Sequence, residues 1–187
     1  GDGDDIIYGG KGDDILNGGA GCDTYVFNIG DGNDIVYDHH TYSSDVRNDR
    51  IKFGEGITAD SVNVRREENN LILEYGSGDS VTVKDHFKST FSSIEYVEFD
   101  DGTTWDLDKL TDLSRVIRGT DGNDTLNGFM DGVFYNTSEI FYAGDGDDII
   151  NAYNGDDIIY AGDGNDTVNA GDGDDIIYGG KGDDILN

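Results

Sequence analysis

Residues 143–187 read AGDGDDIIN, AYNGDDIIY, AGDGNDTVN, AGDGDDIIY and GGKGDDILN, which are nonapeptides that follow one another without a gap. Each unit has Gly at position four, Asp at position six and an aliphatic residue at position eight. A fixed period of this kind indicates a repeat architecture, in which each unit buries its apolar side chains only by stacking on its neighbours. This segment therefore decides the fold.

The same frame extends through much of the rest of the chain. It gives GTDGNDTLN at 119–127 and, in degenerate form, FYNTSEIFY at 134–142, with an insertion between them. From residue 1 it gives GDGDDIIY, GGKGDDILN, GGAGCDTYV and, after a slip of two residues, IGDGNDIVY, which ends at Tyr37. We expect two repeat sections, at 1–37 and 118–187, separated by a segment of another kind.

These units resemble the RTX, or haemolysin-type calcium-binding, nonapeptide G-G-x-G-x-D-x-U-x, and GGKGDDILN matches it at every position. The resemblance implies a right-handed parallel β-roll with calcium ions between same-side turns of successive coils. It also implies export, commonly by a type I route in which the chain leaves the cytoplasm unfolded and folds outside. The expected location is extracellular or on the cell surface.

The residue types account for calcium binding without the resemblance. Glycines at positions two and four permit a tight turn that brings backbone carbonyls to one side, and position six adds a carboxylate. Ca²⁺ takes six to eight oxygen ligands, which is more than one turn supplies, so each ion should be shared between two stacked turns. About five to eight ions are expected on this basis.

The predicted ligands are the position-six carboxylates together with backbone or side-chain oxygens of positions two to four. They are Gly1, Asp2, Gly3, Asp5, Gly10, Gly12, Asp14, Gly19, Gly21, Asp23, Gly30, Asp31, Gly32, Asp34, Asp121, Gly122, Asp124, Gly144, Asp145, Gly146, Asp148, Asn154, Gly155, Asp157, Gly162, Asp163, Gly164, Asp166, Gly171, Asp172, Gly173, Asp175, Gly180, Gly182 and Asp184. Glu139 takes the position of the carboxylate in the degenerate unit.

Positions seven to nine of each unit are expected to form a short strand whose position-eight side chain points inward. The resulting thin core would contain Ile7, Leu16, Tyr25, Val36, Leu126, Ile150, Ile159, Val168, Ile177 and Leu186. Position nine alternates between Tyr and Asn over Tyr142, Asn151, Tyr160, Asn169, Tyr178 and Asn187, which indicates two units per coil. We interpret these as structural ladders; the alternative is a docking surface that includes the outward Ile149 and Ile185.

Residues 38–117, here called the spacer, lose the nine-residue period. The segments DRIKF, SVNVRRE, LILEY, SVTVK, IEYVEF and GTTWDL predict β-strands, with hairpin turns at 68–70 and 76–79 and short helical turns near 58–60, 85–92 and 108–113. The spacer resembles the haemolysin-type calcium-binding-related domain. The predicted fold is therefore all-β, with a parallel β-roll in two sections flanking a small antiparallel β-domain.

Composition limits the classes of partner. The formal net charge is −29, from 41 acidic and 12 basic side chains, so metal cations are the natural counter-charge and nucleic acid is an unfavourable partner. The chain has no apolar stretch long enough to span a membrane and no secretory signal at its start. The single cysteine, Cys22, is interpreted as incidental.

No constellation of catalytic residues stands out. His39, His40 and His86 lack the neighbours of known metal or nucleophile motifs, and carboxylates that recur in every repeat do not form one distinctive acid and base pair. The interpretation of these histidines is therefore structural, and the chain is not expected to be an enzyme.

Residues 1–17 recur unchanged as 171–187, which gives a super-repeat of 170 residues. We therefore expect one unit of a head-to-tail array, with neighbouring modules of the same polypeptide as partners and a capacity for end-to-end self-association. The predicted function is a calcium-folded structural module of a large RTX protein, toxin-like or adhesin-like. Alternatives are an accessory region of an exported protease, lipase or polysaccharide epimerase, and a ligand-binding adhesive array.

Overall fold

The computed structural model describes residues 1–38, 48–88, 92–129 and 137–187. Strands and one helix follow one another along these residues, with a 3₁₀ turn at Ala59–Ser61. They are β1 (Ile6–Tyr8), β2 (Ile15–Leu16), β3 (Thr24–Phe27), β4 (Asn33–Val36), β5 (Arg50–Phe53), β6 (Asn63–Glu67), β7 (Asn70–Tyr75), β8 (Asp79–Val83), β9 (Tyr96–Glu98), β10 (Thr104–Asp106), α1 (Leu107–Ser114), β11 (Val116–Arg118), β12 (Thr125–Asn127), β13 (Ile140–Asp145), β14 (Ile149–Asn151), β15 (Ile158–Asp163), β16 (Thr167–Asn169), β17 (Ile176–Lys181) and β18 (Ile185–Leu186).

The chain divides into two compact units, an N-terminal unit of residues 1–113 and a C-terminal unit of residues 114–187. The C-terminal unit consists of two parallel four-stranded sheets, in the orders β11-β13-β15-β17 and β12-β14-β16-β18. Ile158 pairs with Ile140 on one side and with Ile176 on the other, so each coil of this β-solenoid holds two nonapeptides. The predicted parallel β-roll is confirmed.

The core of the C-terminal unit is thin. Buried side chains come from position eight, as predicted, and also from position one, where four alanines fill the space beside the turns. The buried residues are Phe141, Ala143, Ile150, Ala152, Ile159, Ala161, Val168 and Ala170. Leu186, in the last strand of the chain, is 46 % exposed and does not belong to this core.

The two position-nine ladders lie on different sheets of the C-terminal unit. The rings of Tyr142, Tyr160 and Tyr178 stack almost in parallel, with centroids 5.0 and 4.8 Å apart. On the other sheet, the Asn169 amide donates to Asn151 at 2.9 Å, and Asn151 donates to Asn127 at the same distance. The predicted alternation with two repeats per coil is therefore confirmed.

The N-terminal unit has two five-stranded sheets, in the orders β1-β3-β5-β9-β10 and β2-β4-β8-β7-β6. Strands β5, β8 and β9 of the spacer pair in parallel with the strands of the first repeat section or with each other, whereas β6, β7 and β10 are antiparallel to their neighbours. The spacer therefore extends both sheets of the roll. The boundaries at residues 37 and 117 stay a prediction.

The core of the N-terminal unit is thick and rich in aromatic side chains. Phe53 packs against Tyr75 and Phe99, and Phe99 packs against Trp105 with the ring centroids 4.7 Å apart. Leu71, Leu73, Val81 and Val83 from the hairpin strands are completely buried in the same cluster. Burial of so many large apolar groups stabilises this unit irrespective of bound ions.

Most spacer elements match their predictions. The strand segments become β5 to β10, the turns at 68–70 and 76–79 join the antiparallel strands β6, β7 and β8, and α1 covers the predicted turn at 108–113. The predicted helical turn at 85–92 appears only as turns over 85–88, and residues 89–91 lie outside the described residues. No helix in the described ranges has the length and apolarity needed to cross a membrane.

Candidate metal centres

Turns connect the two sheets of the C-terminal unit at both edges. On one edge the turns 143–148, 161–166 and 179–184 stack in register, and the turn 119–124 precedes them. On the other edge the turns 152–157 and 170–175 stack, below the residues around Glu139. Each turn ends on the position-six aspartate, which directly precedes a strand of the next sheet, so the strand register aligns these carboxylates in columns.

Backbone hydrogen bonds fix one oxygen of each carboxylate in these columns. The Asp148 N–H donates to Asp166 Oδ1 at 2.9 Å, and the Asp166 N–H donates to Asp184 Oδ1 at 3.0 Å. At the opposite edge, Glu139 and Asp157 donate in the same way to the residue 18 positions further on. Each carboxylate is therefore oriented by the coil before it.

The second oxygen of several of these carboxylates is buried and accepts no hydrogen bond within the described structure. This holds for Oδ2 of Asp14, Asp23, Asp34, Asp148, Asp157 and Asp166. A buried carboxylate oxygen without a partner is costly, and a metal cation is the partner that also neutralises the charge. Because all the donors nearby are hard oxygens, the set fits Ca²⁺.

Burial also changes the acidity of these groups. It raises the pKa of Asp23, Asp34 and Asp166, and that of Asp157 to about 6, with neighbouring aspartates as a smaller cause in each case. The protonated form is favoured because a charged carboxylate is poorly solvated there. A bound divalent cation would reverse this preference, so calcium uptake should displace protons from these sites.

The glycines at position four allow the turns to approach one another. Gly164 has φ +153°, and a Cβ at this residue would overlap the carbonyl oxygen of Gly146 in the preceding coil. The Gly146 N–H in turn donates to the Asp163 carbonyl at 2.8 Å. Backbone oxygens of one turn therefore lie directly against the next turn, as a shared ion requires.

Position five forms a second ladder, which the sequence interpretation missed. The Asp147 N–H donates to Asn123 Oδ1 at 3.0 Å, the Asn165 N–H to Asp147 Oδ1 at 2.8 Å, and the Asp183 N–H to Asn165 Oδ1 at 2.9 Å. This ladder runs in the opposite direction to that of position six. The signal in the sequence is the recurrence of Asp or Asn at position five.

In the N-terminal unit the carboxylate column continues beyond the repeats. Asp5 donates through its N–H to Asp23, Asp23 to Asp49 at 2.6 Å, and Asp49 to Glu95 at 2.9 Å. Asp49 and Glu95 belong to the spacer and were not predicted as ligands. Each lies at the start of a segment pairing with the sheet, directly before Arg50 or Tyr96, which is the place of position six in a nonapeptide.

The opposite edge of the N-terminal unit differs. The Asp14 N–H donates to Asp34 Oδ1 at 3.0 Å, but the residue that pairs with Asp34 in the next strand is Val81, so the column ends there. Asp31 is buried and accepts from the Asn28 N–H at 2.7 Å. Asp79 accepts from the Gly30 N–H at 2.7 Å. A spacer carboxylate that is not at position six therefore contacts the turn at this edge.

Apart from the buried Asp31, the predicted acidic and amide ligands at position three have a different environment. Asp2, Asp121, Asp145, Asn154 and Asp172 are exposed. Asp163 is also exposed, and its Oδ2 pairs with Lys181 at 2.6 Å. Their side chains lie outside the carboxylate columns, so a ligand role for this position rests on the backbone carbonyls and stays a prediction.

The histidine assigned a structural role lies in the core of the N-terminal unit. His86 Nδ1 accepts from the Ile94 N–H at 3.2 Å, and burial lowers the pKa of His86 to about 3, so the ring is neutral at physiological pH. His39 and His40 lie outside the described residues. Cys22, in a polar turn, is half-buried.

Comparison with known proteins identifies the repeats. The family model of the RTX calcium-binding nonapeptide repeat matches residues 1–26, 116–130, 135–168 and 160–187, which together cover just over half of the chain. The model of the haemolysin-type calcium binding protein related domain matches residues 70–109 of the spacer.

A curated relative and a solved structure align with parts of this chain. The chain is 41 % identical over 118 residues to the iron-regulated protein FrpA of Neisseria meningitidis serogroup C, an alignment that covers 60 % of this chain and 10 % of that protein. The extracellular lipase LipA of Serratia marcescens aligns at 18 % identity over 91 % of this chain and 30 % of that chain, with a TM-score of 0.41. The chain thus spans about a tenth of the curated relative's length. From its repeats and their family match, the chain belongs to the RTX calcium-binding nonapeptide repeat family.

Proposed function

We propose that this chain is a structural module of a longer secreted or cell-surface protein that folds when it takes up calcium. The observation that carries the proposal is the two columns of buried position-six carboxylates in the C-terminal unit, in which Oδ2 of Asp148, Asp157 and Asp166 has no hydrogen-bond partner among the described residues. Without cations, stacking would hold these negatively charged carboxylates close together in a chain whose net charge is already −29, and their repulsion would oppose folding. Calcium binding is then part of the folding free energy itself.

The proposed location follows from calcium supply. Extracellular calcium modules bind with dissociation constants of about 10⁻⁴ to 10⁻³ M, a concentration range reached outside cells but not in the cytoplasm. A chain that stays unfolded before export and folds afterwards agrees with such affinities. Membership of the RTX repeat family supports the same location.

The proposed role is structural rather than catalytic. The exact recurrence of residues 1–17 at 171–187 supports a tandem array in which roll sections and spacers alternate along one polypeptide. Neighbouring modules would then be the main macromolecular partners. An accessory role beside a catalytic domain is the alternative, and the sequence of the complete gene decides between the two.

The decisive experiment is a calcium titration of the whole chain followed by far-ultraviolet circular dichroism, with Mg²⁺ as the control cation. We expect a cooperative gain of β-structure with Ca²⁺ and little change with Mg²⁺, because Mg²⁺ requires regular octahedral geometry and keeps its water. A fully folded spectrum in excess chelator would contradict the proposal.

A second candidate function is adhesion through the tyrosine ladder. Tyr142, Tyr160 and Tyr178 stack with 38 to 53 % of each residue exposed, and the Arg118 guanidinium lies 4.7 Å from the Tyr142 ring centroid. A flat row of aromatic rings is a suitable surface for a ligand. Glycan-array and cell-binding assays in calcium would compare the wild type with Tyr160→Ala, and unchanged binding removes this candidate.

A further inference from the structure

The first carboxylate column departs from the repeat pattern where it passes into the spacer. Position eight before this point holds Tyr25, whereas most other units have an aliphatic residue there. Asp38 directly follows the last unit of the first repeat section, which ends at Tyr37. It takes position one of the next unit, where most units have Gly or Ala. Both departures place a polar group, the Tyr25 hydroxyl or the Asp38 carboxylate, where most units have an apolar or small residue.

Three carboxylates meet at this place. Asp23, Asp38 and Asp49 each bring an oxygen to a cluster in which all the oxygens lie within 4.8 Å of one another. The three residues are 0, 2 and 0 % exposed, so water does not screen their charges. They come from three separate positions: the turn before β3, the residue after Tyr37, and the residue before β5.

The free oxygen of Asp23 faces this cluster. Asp23 Oδ1 accepts from the Asp5 N–H at 2.9 Å, whereas the buried Oδ2 has no hydrogen-bond partner in the part of the chain that the structure describes. A Cβ placed on Gly18 would touch both Asp23 Oδ2 and the Tyr25 hydroxyl, which shows that these two oxygens border the same small space. The Tyr25 hydroxyl is 3.1 Å from Asp38 Oδ1, so Asp38 borders it as well.

Tyr25 acts as a positioning residue for Asp38. Its hydroxyl accepts from the Gly18 N–H at 2.9 Å and donates to Asp38 Oδ1, and the residue is completely buried. With the acceptor side of the hydroxyl occupied by Gly18, its proton points to Asp38. This hydrogen bond orients one oxygen of Asp38, as groups around metal sites commonly do for the ligands of the metal.

We propose that Asp23, Asp38 and Asp49 form a calcium site with three carboxylates that joins the last turn of the first roll section to the spacer. Two oxygens that both lie 2.3 to 2.6 Å from one Ca²⁺ ion are at most about 5 Å apart, and the observed spacing meets this limit. The three donors are carboxylate oxygens, the type of ligand that Ca²⁺ prefers. The site rests on the proposed function, because it uses the same ion as the repeats.

This site is more acidic than those between consensus turns, where the repeat supplies one position-six carboxylate per turn. Calcium affinity in proteins rises with the number of charged ligands. The three-carboxylate site should therefore fill at lower calcium concentration than the consensus sites. It would also connect the spacer, whose apolar side chains share one core with the first roll section, to the first calcium-loaded turns.

Isothermal titration calorimetry with Ca²⁺ on the whole chain tests the site with the variant Asp38→Asn, which keeps an acceptor for Tyr25 but removes a charge. We expect loss of one calcium equivalent from the tightest class, or weakening of that class by about tenfold or more. Tyr25→Phe should weaken the same class while leaving the number of sites unchanged. Asp60→Asn, at an exposed position in the 3₁₀ turn, is the control and should match the wild type.

Crystals grown in calcium provide a second measurement that does not depend on the folding of variants. An anomalous calcium peak bordered by Asp23, Asp38 and Asp49 supports the proposal. Peaks between consensus turns without one in this cluster would overturn it and leave the proposed function intact. A wild-type chain that binds no calcium at all would overturn both, and unaltered titration of Asp38→Asn would overturn the three-carboxylate site alone.

Discussion

The two units of this chain use similar parallel coils with very different interiors. In the C-terminal unit the buried residues are four alanines, one phenylalanine and three aliphatic residues, whereas the N-terminal unit buries a cluster that contains Phe27, Phe53, Phe99 and Trp105. Buried apolar area offsets the entropy of ordering the chain. The thin core of the C-terminal unit is the physical reason for the proposed dependence of its repeats on ions. In the N-terminal unit the spacer adds large apolar side chains to the core.

Removal of calcium should produce the largest difference between the two units, which is a difference in amide hydrogen exchange. In excess chelator we expect amide hydrogens of 114–187 to exchange within seconds, because the thin core and stacked carboxylates do not hold the coils together. Amides of β7 and β8 should stay protected, and the emission of the single tryptophan, Trp105, should remain that of a buried ring. Hydrogen-exchange mass spectrometry of the whole chain measures both, and equal protection in the two units would contradict the comparison.

A matched pair of carboxylate substitutions comes next in expected size. Asp166 lies inside a column, accepting from Asp148 and donating to Asp184, whereas Asp34 is the last acid of its column. We expect Asp166→Asn to raise the calcium midpoint of the C-terminal unit by about tenfold, since it weakens the sites on both of its sides. Asp34→Asn should change the N-terminal unit much less. Midpoints come from hydrogen exchange at a series of calcium concentrations, and similar shifts for the two variants would refute this ranking.

Two glycine substitutions test the close stacking of the turns. Gly164→Ala places a methyl group against the Gly146 carbonyl, whereas Gly78, in the hairpin of the N-terminal unit, has φ +108° and open space around it. We expect Gly164→Ala to lower the free energy of unfolding in calcium by about 3 kcal/mol or more, and Gly78→Ala by about 1 kcal/mol from backbone strain alone. Denaturant unfolding in saturating calcium gives both values. Equal losses would mean that the turns do not stack as tightly as the structure shows.

The smallest effect concerns pH. Burial raises the pKa of Asp157 to about 6 in the ion-free fold from an ordinary value of 3.8, so protonation stabilises that fold at low pH and this contribution is lost as pH rises through about 6. Protons and calcium then compete for the same carboxylate. We expect the calcium midpoint of the C-terminal unit to rise several-fold between pH 7.5 and pH 5.5. Asp157→Asn should flatten this dependence, and an unaltered slope in that variant would assign the competition to other groups.

The sequence predicted the coils of the C-terminal unit because its period determines the register directly: Tyr and Asn alternate at position nine, and Ile or Val recurs at position eight. The same reasoning missed the buried alanines of position one. Ala recurs there every nine residues, but Gly takes the same position in other units, and a small residue beside a turn is a weak signal of burial. It missed Asp49 and Glu95 because the spacer has no repeat from which a position number follows. Only strand pairing shows that Arg50 lies beside Thr24 and that Tyr96 lies beside Arg50 in the same sheet.

The spacer also shows why the partner of a strand is hard to predict from its sequence pattern. Alternating segments such as LILEY and SVTVK predict a hairpin, and β7 and β8 form one. The pattern does not state which neighbour lies on the free edge of β8, because parallel and antiparallel partners impose the same alternation of buried and exposed residues. The edge is in fact occupied by β4 of the first repeat section.

The two position-nine ladders restrict how such a protein changes its length during evolution. Each regular coil of the C-terminal unit contains 18 residues, so duplication of a pair of nonapeptides adds one rung of Tyr to one sheet and one rung of Asn to the other. Gain or loss of a single nonapeptide would instead place an asparagine beneath a tyrosine and move every later turn to the opposite edge. Natural variation in the number of repeats should therefore occur in even steps.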